Sequence, residues 1–129
     1  MAFSASSKSD YQQASVIKVE DPGRRADLAG LAIVPSMPWV GLSPAFLMFC
    51  ADAPRLERIC TLRAHPQPNI NLEAFFNASV DAALVLQTFI LAAERVGLGC
   101  CPISVIRNHL SAVVQILSLP AGVIPVALD

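Results

Sequence analysis

Charge is what this sequence has least of. Asp, Glu, Lys and Arg make up 15% of its 129 residues, against ~25% in an ordinary soluble domain. Nine basic and ten acidic side chains give a formal net charge of -1 and are scattered without runs, so there is no electrostatic footprint for nucleic acid or an anionic membrane surface. Glycine is scarce too, at six residues. None of it falls into GxGxxG, GxxxxGK(S/T) or GxSxG spacing, and HExxH is absent. The parts that cradle nucleotide phosphates, hold a protease zinc or expose an esterase serine are therefore missing. The opening MAFSASSKSD lacks the apolar stretch of ~7–15 residues that a secretory signal needs, and a cytoplasmic location is expected.

Four cysteines occur, Cys50, Cys60, Cys100 and Cys101, none in CxxC spacing. Cys100 and Cys101 fall in a stretch that reads as a strand, where neighbours point to opposite faces and cannot easily share one metal. Buried, reduced thiols and no metal site are expected. His65 and His109 are far apart in sequence and flank turns, which suits surface or capping roles better than catalysis.

What the sequence has in excess is apolar surface, 54% of residues. A lone chain of this size would struggle to hide it, so a partner is expected. Ala14 to Glu20 mixes β-branched and polar residues as a half-buried strand does. Asp21 and Pro22 then supply a cap and a first helical residue for a helix carrying Leu28, Leu31 and Ala32. Pro35, Pro38 and Pro44 impose a loop over about residues 33–44, with Trp39 available to cover a ligand or a partner. Ala45 to Cys50 is a continuous apolar run, suited to a central strand covered on both faces. Asp52 and Pro54 open a further helix through Arg55, Leu56 and Ile59, and HPQPNIN, residues 65–71, is a connector.

The longest element is a helix from Leu72 to Val96, free of Pro and Gly and apolar nearly all round. A membrane span would have to accommodate Asp81, at ~2.5–3.5 kcal/mol if central, besides Asn77 and Gln87. Burial in a soluble core or a dimer interface is preferred. Gly97-Leu98-Gly99 ends this helix. Cys100 to Val105 then reads as an edge strand or a bend at Pro102, Asn108 as the cap of a helix Leu110 to Leu117, and Val123 to Leu128 as a last, central strand. A single α+β domain around a mixed sheet, spanning residues 1–129, follows.

Four segments, SKSDYQQASVIKVEDPGRRADLAGLA, PAFLMFCAD, FFNASVDAALVLQTFILAAERVGLGCCPISVIRN and LSLPAGVIPV, resemble in order the nitroreductase family of flavin oxidoreductases. The resemblance implies a mixed, mainly antiparallel sheet flanked by helices and an intertwined homodimer packed through helix 72–96. It also implies FMN at the dimer interface, NAD(P)H as electron donor, and ping-pong hydride transfer to nitroaromatic, quinone or similar small-molecule acceptors. Carried over residue by residue, it points to Ser7, Lys8, Ser9 and Gln12 beside the flavin, to Met37, Pro38 and Trp39 in the approaching loop, and to Pro102, Ile103, Ser104 and Val105 along the ring. No catalytic side chain is named, since the flavin supplies the reactivity. Some relatives carry a glycine pair where this chain has Ser104-Val105. The arginine-rich opening and the later basic phosphate contacts of the family have no counterpart here, so a chain truncated at both ends is expected. A dimerising scaffold without flavin turnover is the alternative, and a small-molecule carrier a third.

Overall fold

The computed structural model describes residues 5–7, 10–32, 37–66 and 71–129. The elements follow in the order β1 (Ala14–Lys18), α1 (Pro22–Ala32), β2 (Leu47–Asp52), α2 (Arg55–Leu62), α3 (Leu72–Arg95), α4 (Leu110–Leu117) and β3 (Val123–Leu128). Short 3-10 turns lie at Pro38–Leu42 and Val105–His109.

The three strands form one sheet in the order β1-β2-β3, with both pairings antiparallel. The run read as a doubly covered central strand is that strand. Met48 and Cys50 face a core built with α1 and α4, whereas Phe49 and Ala51 face α3 through Ala78, Ala82 and Val85, as the two-residue period of a strand requires. Phe49 meets Phe89 of α3 with ring centroids 5.5 Å apart, tilted by 54°. The α+β class is as expected, and the described part of the sheet holds antiparallel pairs alone. β3, expected to be central, lies at the edge of these strands. The edge position explains how it tolerates Pro125, which has no N–H to give a ladder. The register slips beside it, between Phe49 and Cys50 on β2, and Arg107 Nη1 donates to the Val126 carbonyl at 2.7 Å.

Caps account for the helix ends. Asp21 Oδ1 accepts from the Arg24 N–H at 2.8 Å, and Asn71 Oδ1 from the Ala74 N–H at 3.1 Å, each satisfying a first-turn donor. At the far end of α3, Gly97 sits at φ 81°. Its N–H bonds Glu94 O and the Leu98 N–H bonds Ala93 O, both at 3.0 Å, the paired bonds of a Schellman ending that favours a residue without Cβ.

Three local expectations are corrected. Residues 100–105 are not a strand: Ile103 makes a single bridge to Leu128, because Pro102 lacks a donor and the chain turns at once into the Val105–His109 3-10 turn. Asn108 lies inside that turn and does not cap α4; His109 holds the N-cap position, without a side-chain bond. Of the four cysteines only Cys50 is buried, while Cys60 and Cys100 are half-buried and Cys101 is exposed. Part of the loop expected over residues 33–44 is the Pro38–Leu42 turn, and residues 33–36 lie outside the described part.

Two carboxylates hold the β1 end of the sheet. Asp52, almost fully buried, accepts from Ser15 Oγ at 2.7 Å and from Arg58 Nη2 at 2.8 and 2.9 Å, and pairs with Arg55 at 3.4 Å. Arg55 also donates to Ser15 Oγ. Asp81, buried on α3, accepts from the Gln13 N–H at 2.8 Å and from Ser7 Oγ at 3.1 and 3.2 Å. Ser7 Oγ in turn accepts from the Gln12 N–H at 3.0 Å. A helix side chain thereby fixes the polar segment before β1.

Burial alone would raise the Asp52 carboxyl, but the hydrogen bonds from Ser15 and Arg58 and the charges of Arg58 and Arg55 outweigh it and hold the group below its ordinary value. A depressed folded value stabilises the fold above the unfolded carboxylate range, near 4, and this stability is lost as pH falls through and below that range. Asp52→Asn is therefore expected to cost ~2 kcal/mol at pH 7. In urea melts the gap to the parent chain should close below about pH 3, and a gap independent of pH would refute the assignment. Asp81→Leu, which leaves the buried Gln13 N–H without its acceptor, should lose ~2–3 kcal/mol and speed exchange of that amide, whereas Asp81→Asn keeps one acceptor and loses less.

Candidate functional site

Among the described residues one largely apolar cleft combines room with aromatic walls. It measures about 470 Å³ and lies between the Pro38–Leu42 turn, the start of β2, the end of α3 and the segment leading to Ile103. Its walls are Trp39, Phe46, Leu47, Phe89, Leu98 and Ile103, with Cys100, Cys101 and Asp129 alongside. Trp39, 42% exposed, stands at the mouth. The rim is fastened from α1, where Arg25 donates to the carbonyls of Ser43 and Pro44 and stacks over Phe46 at 5.0 Å. The far wall is set by the Gly97 ending of α3, which turns the chain back toward β3.

Of the residues expected near a flavin, Trp39 and Ile103 line this cleft. Met37 and Val105 are half-buried against the α1/α4 core next to it. Pro102 and Ser104 are exposed on either side of Ile103. Ile103 offers its side chain rather than its backbone: its N–H bonds Leu128 O at 2.7 Å and its carbonyl accepts from Leu128 N at 3.1 Å. Pro38 begins the 3-10 turn.

Ser7 and Gln12 lie elsewhere. They line a small depression with Ser6, Ala14, Arg55, Asp81 and Val85, beside the end of the sheet where Gln13 O bonds Asp52 N. The cleft opens at the other end, where Leu47 pairs with Lys18 and bonds Asp129. The five residues of β1 separate the two places by ~13 Å or more at ~3.3 Å per residue. Along α3, Asp81 beside the depression and Ala93 in the cleft wall are ~18 Å apart at ~1.5 Å per residue. Within one chain, then, the two groups do not meet. Lys8 and Ser9 lie outside the described residues.

Several residues at these places escaped the sequence reading. Gln13, not Gln12, is the buried amide: its Nε2 donates to Ala53 O at 3.0 Å, while its Oε1 is buried without a protein partner. Gln12 is exposed, in a left-handed conformation at φ 50°. The two-residue period running back from Ala14 gave no means of choosing between them. Asp81 had figured only as a cost to a membrane span, and Arg55 only as a helix former. A carboxylate embedded in an otherwise apolar helix was the available signal, since a buried charge implies partners.

The thiols differ by environment. Burial, then the nearby Asp52 charge, pushes Cys50 up to about 12. Burial, then the hydrogen bond and charge of Asp129 and the charge of Glu94, pushes Cys100 up to about 11. Neither is a thiolate at neutral pH.

Comparison with known proteins adds the family. The Nitroreductase family model matches residues 39–128. An FMN reductase (NADPH) of Bacillus subtilis is 38% identical over 124 residues, covering 94% of this chain and 49% of the relative. An oxygen-insensitive NADPH nitroreductase of Salmonella typhimurium is 35% identical over 125 residues, covering 96% and 49%. Among solved structures, a Bacillus subtilis nitroreductase superposes with a TM-score of 0.87 at 36% identity, over 98% of this chain and 51% of that one. An NADPH:FMN oxidoreductase of Vibrio harveyi, solved with NAD+, gives 0.83 at 31%, over 98% and 53%. The chain spans about half the length of the curated relatives it matches. With four matching segments, a matched model and the superposed fold in agreement, the chain belongs to the nitroreductase family.

Proposed function

We propose that this chain is part of an FMN-dependent NAD(P)H oxidoreductase that works as a homodimer, is soluble and cytoplasmic, and passes electrons to nitroaromatic, quinone or similar acceptors. The cleft carries this reading. Its apolar walls and the Trp39 indole fit a flat aromatic ring system, and the family's relatives are named for flavin and NADPH chemistry. Bound FMN would supply the two-electron exchange. The protein's part is to hold it: Trp39, Phe46 and Phe89 exclude water, and Ile103, pinned to Leu128, sets the depth of the floor.

Among the described residues no lysine or arginine belongs to the cleft wall, so on these residues the phosphate and ribityl chain need polar groups from elsewhere. The depression with Ser7, Gln12 and Arg55 has them. A twofold partner that brings its depression to this cleft would complete a site that one chain leaves divided, and Ser7 and Gln12 would then face the flavin of the other subunit. The surface for such a partner is on α3. Asn77, Ala78, Asp81, Ala82 and Val85 are buried against the sheet, but Leu72, Phe75, Phe76, Leu84 and Leu91 remain exposed, more contiguous apolar surface than a monomer normally shows water. α3 is also long and apolar enough to cross a bilayer. Its buried Asn77 and Asp81, packed on a sheet, favour the soluble reading.

The bare cleft wall also favours the second reading, a dimerising scaffold without flavin turnover. The two separate by experiment. Trp39 is the only tryptophan, so its emission reports directly on the cleft. Adding FMN to the purified chain should quench that emission and shift the flavin spectrum, and anaerobic NADPH or NADH should then bleach the bound flavin. Quenching without bleaching would indicate a carrier, and neither effect a scaffold.

Phe76→Glu or Leu84→Glu places a charge on the open face of α3. Either should convert a dimer to monomers in sedimentation velocity and weaken FMN uptake at least tenfold. A monomeric parent chain that still takes up FMN would rule out the divided site.

A further inference from the structure

A strand would have sent the side chains of Cys100 and Cys101 to opposite faces. Residues 98–102 form neither strand nor helix, and both cysteines line the same cleft. Cys101 is exposed and Cys100 half-buried, and Asp129 belongs to the same wall. Two adjacent cysteines thus line one largely apolar cleft of about 470 Å³. The other two thiols stand apart, Cys50 in the core and Cys60 on α2, outside this wall.

We propose that Cys100 and Cys101 form a vicinal dithiol site for trivalent organoarsenicals, electrophiles of the class R–As=O that are held firmly only by two thiols at once. The step is a condensation: R–As=O + 2 R′–SH → R–As(S–R′)2 + H2O. Two arsenic–sulfur bonds form, the arsenic–oxygen double bond breaks, and both thiol protons leave on the oxygen as water. Arsenic stays trivalent, so no oxidant or reductant is needed. Protonated thiols are consumed, so the site does not require the thiolate that burial and Asp129 disfavour at Cys100. The apolar wall of Phe46, Leu47 and Leu98 receives the organic group, which a monothiol on the surface has no means of doing. The site does not depend on flavin binding.

Phenylarsine oxide is the probe. One equivalent added to the reduced full chain should raise the intact mass by one phenylarsine oxide less one water. The adduct should survive excess 2-mercaptoethanol and be removed by 2,3-dimercaptopropanol. In digests alkylated after treatment, the peptide carrying residues 100 and 101 should lose both alkyl groups, while Cys60 keeps its own. Cys101→Ser and Cys100→Ser should each shorten adduct lifetime in 2-mercaptoethanol at least tenfold, and Cys60→Ser should not change it. An adduct that persists in Cys101→Ser, protection that maps to Cys60, or no lasting adduct on the folded parent chain would each overturn the proposal. The digest reads the site without any variant, so a poorly folding serine form does not leave it open.

Discussion

A buried carboxylate on the largely apolar helix α3, Asp81, ties that helix to the segment before β1. α3 meets the sheet through small residues, Ala78 and Ala82, which bring its axis close to Phe49 and Ala51. Only at such close range can the short Asp81 side chain take the Gln13 N–H at 2.8 Å and the Ser7 hydroxyl at 3.1 Å. Burying that charge is tolerable because hydrogen bonds replace its water. In return, Ser7 and Gln13, ahead of β1, are held against the helix. Gln12 is left-handed, and Ser7 Oγ, accepting from the Gln12 N–H, stabilises that conformation.

The sheet then acts as a spacer. Its three antiparallel strands carry the polar segment at one end and the apolar cleft at the other. Among the described residues neither end has the full chemistry of a flavin site: the cleft walls carry no cation, and the depression has hydroxyls and Arg55 without room for a ring. Division of this kind suits a twofold dimer, because a symmetry axis that places one cleft against one depression does the same for the other pair.

How much of this could be read from the residues depended on range. β2, α3, α4 and β3 were legible because the signals are local: an unbroken apolar run, a long window without Pro or Gly, turn residues at Pro120 and Gly122. Of the two forms expected at residues 100–105, an edge strand or a bend, the strand is reduced to one bridge at Ile103 because Pro102 lacks a donor and a 3-10 turn starts at Val105. The expected alternation of Cys100 and Cys101 fails with it, since alternation across a pleat has no meaning where there is no strand. At the cleft, Trp39 and Ile103, which line it, were named for the site from the sequence, Trp39 from its loop and Ile103 from the family resemblance. Gln13, Asp52, Asp81 and Arg55 were not, because their roles rest on contacts separated by up to 74 residues, which no local pattern records.

The apolar excess in the composition has a similar long-range meaning. The sheet is covered on both faces, so the described core is already complete within one chain. What remains is the outer side of α3, where Phe75, Phe76 and Leu91 stand open. This is the same helix whose inner side holds Ser7 through Asp81. A partner seated on the outer side would stiffen the helix and with it the Asp81 anchor, so dimerisation and the order of the polar segment become two consequences of one rigid body. Weakening the interface would therefore loosen the Ser7 end before it disturbed the cleft, whose rim is held independently by Arg25 and whose floor is held by the Ile103–Leu128 bridge.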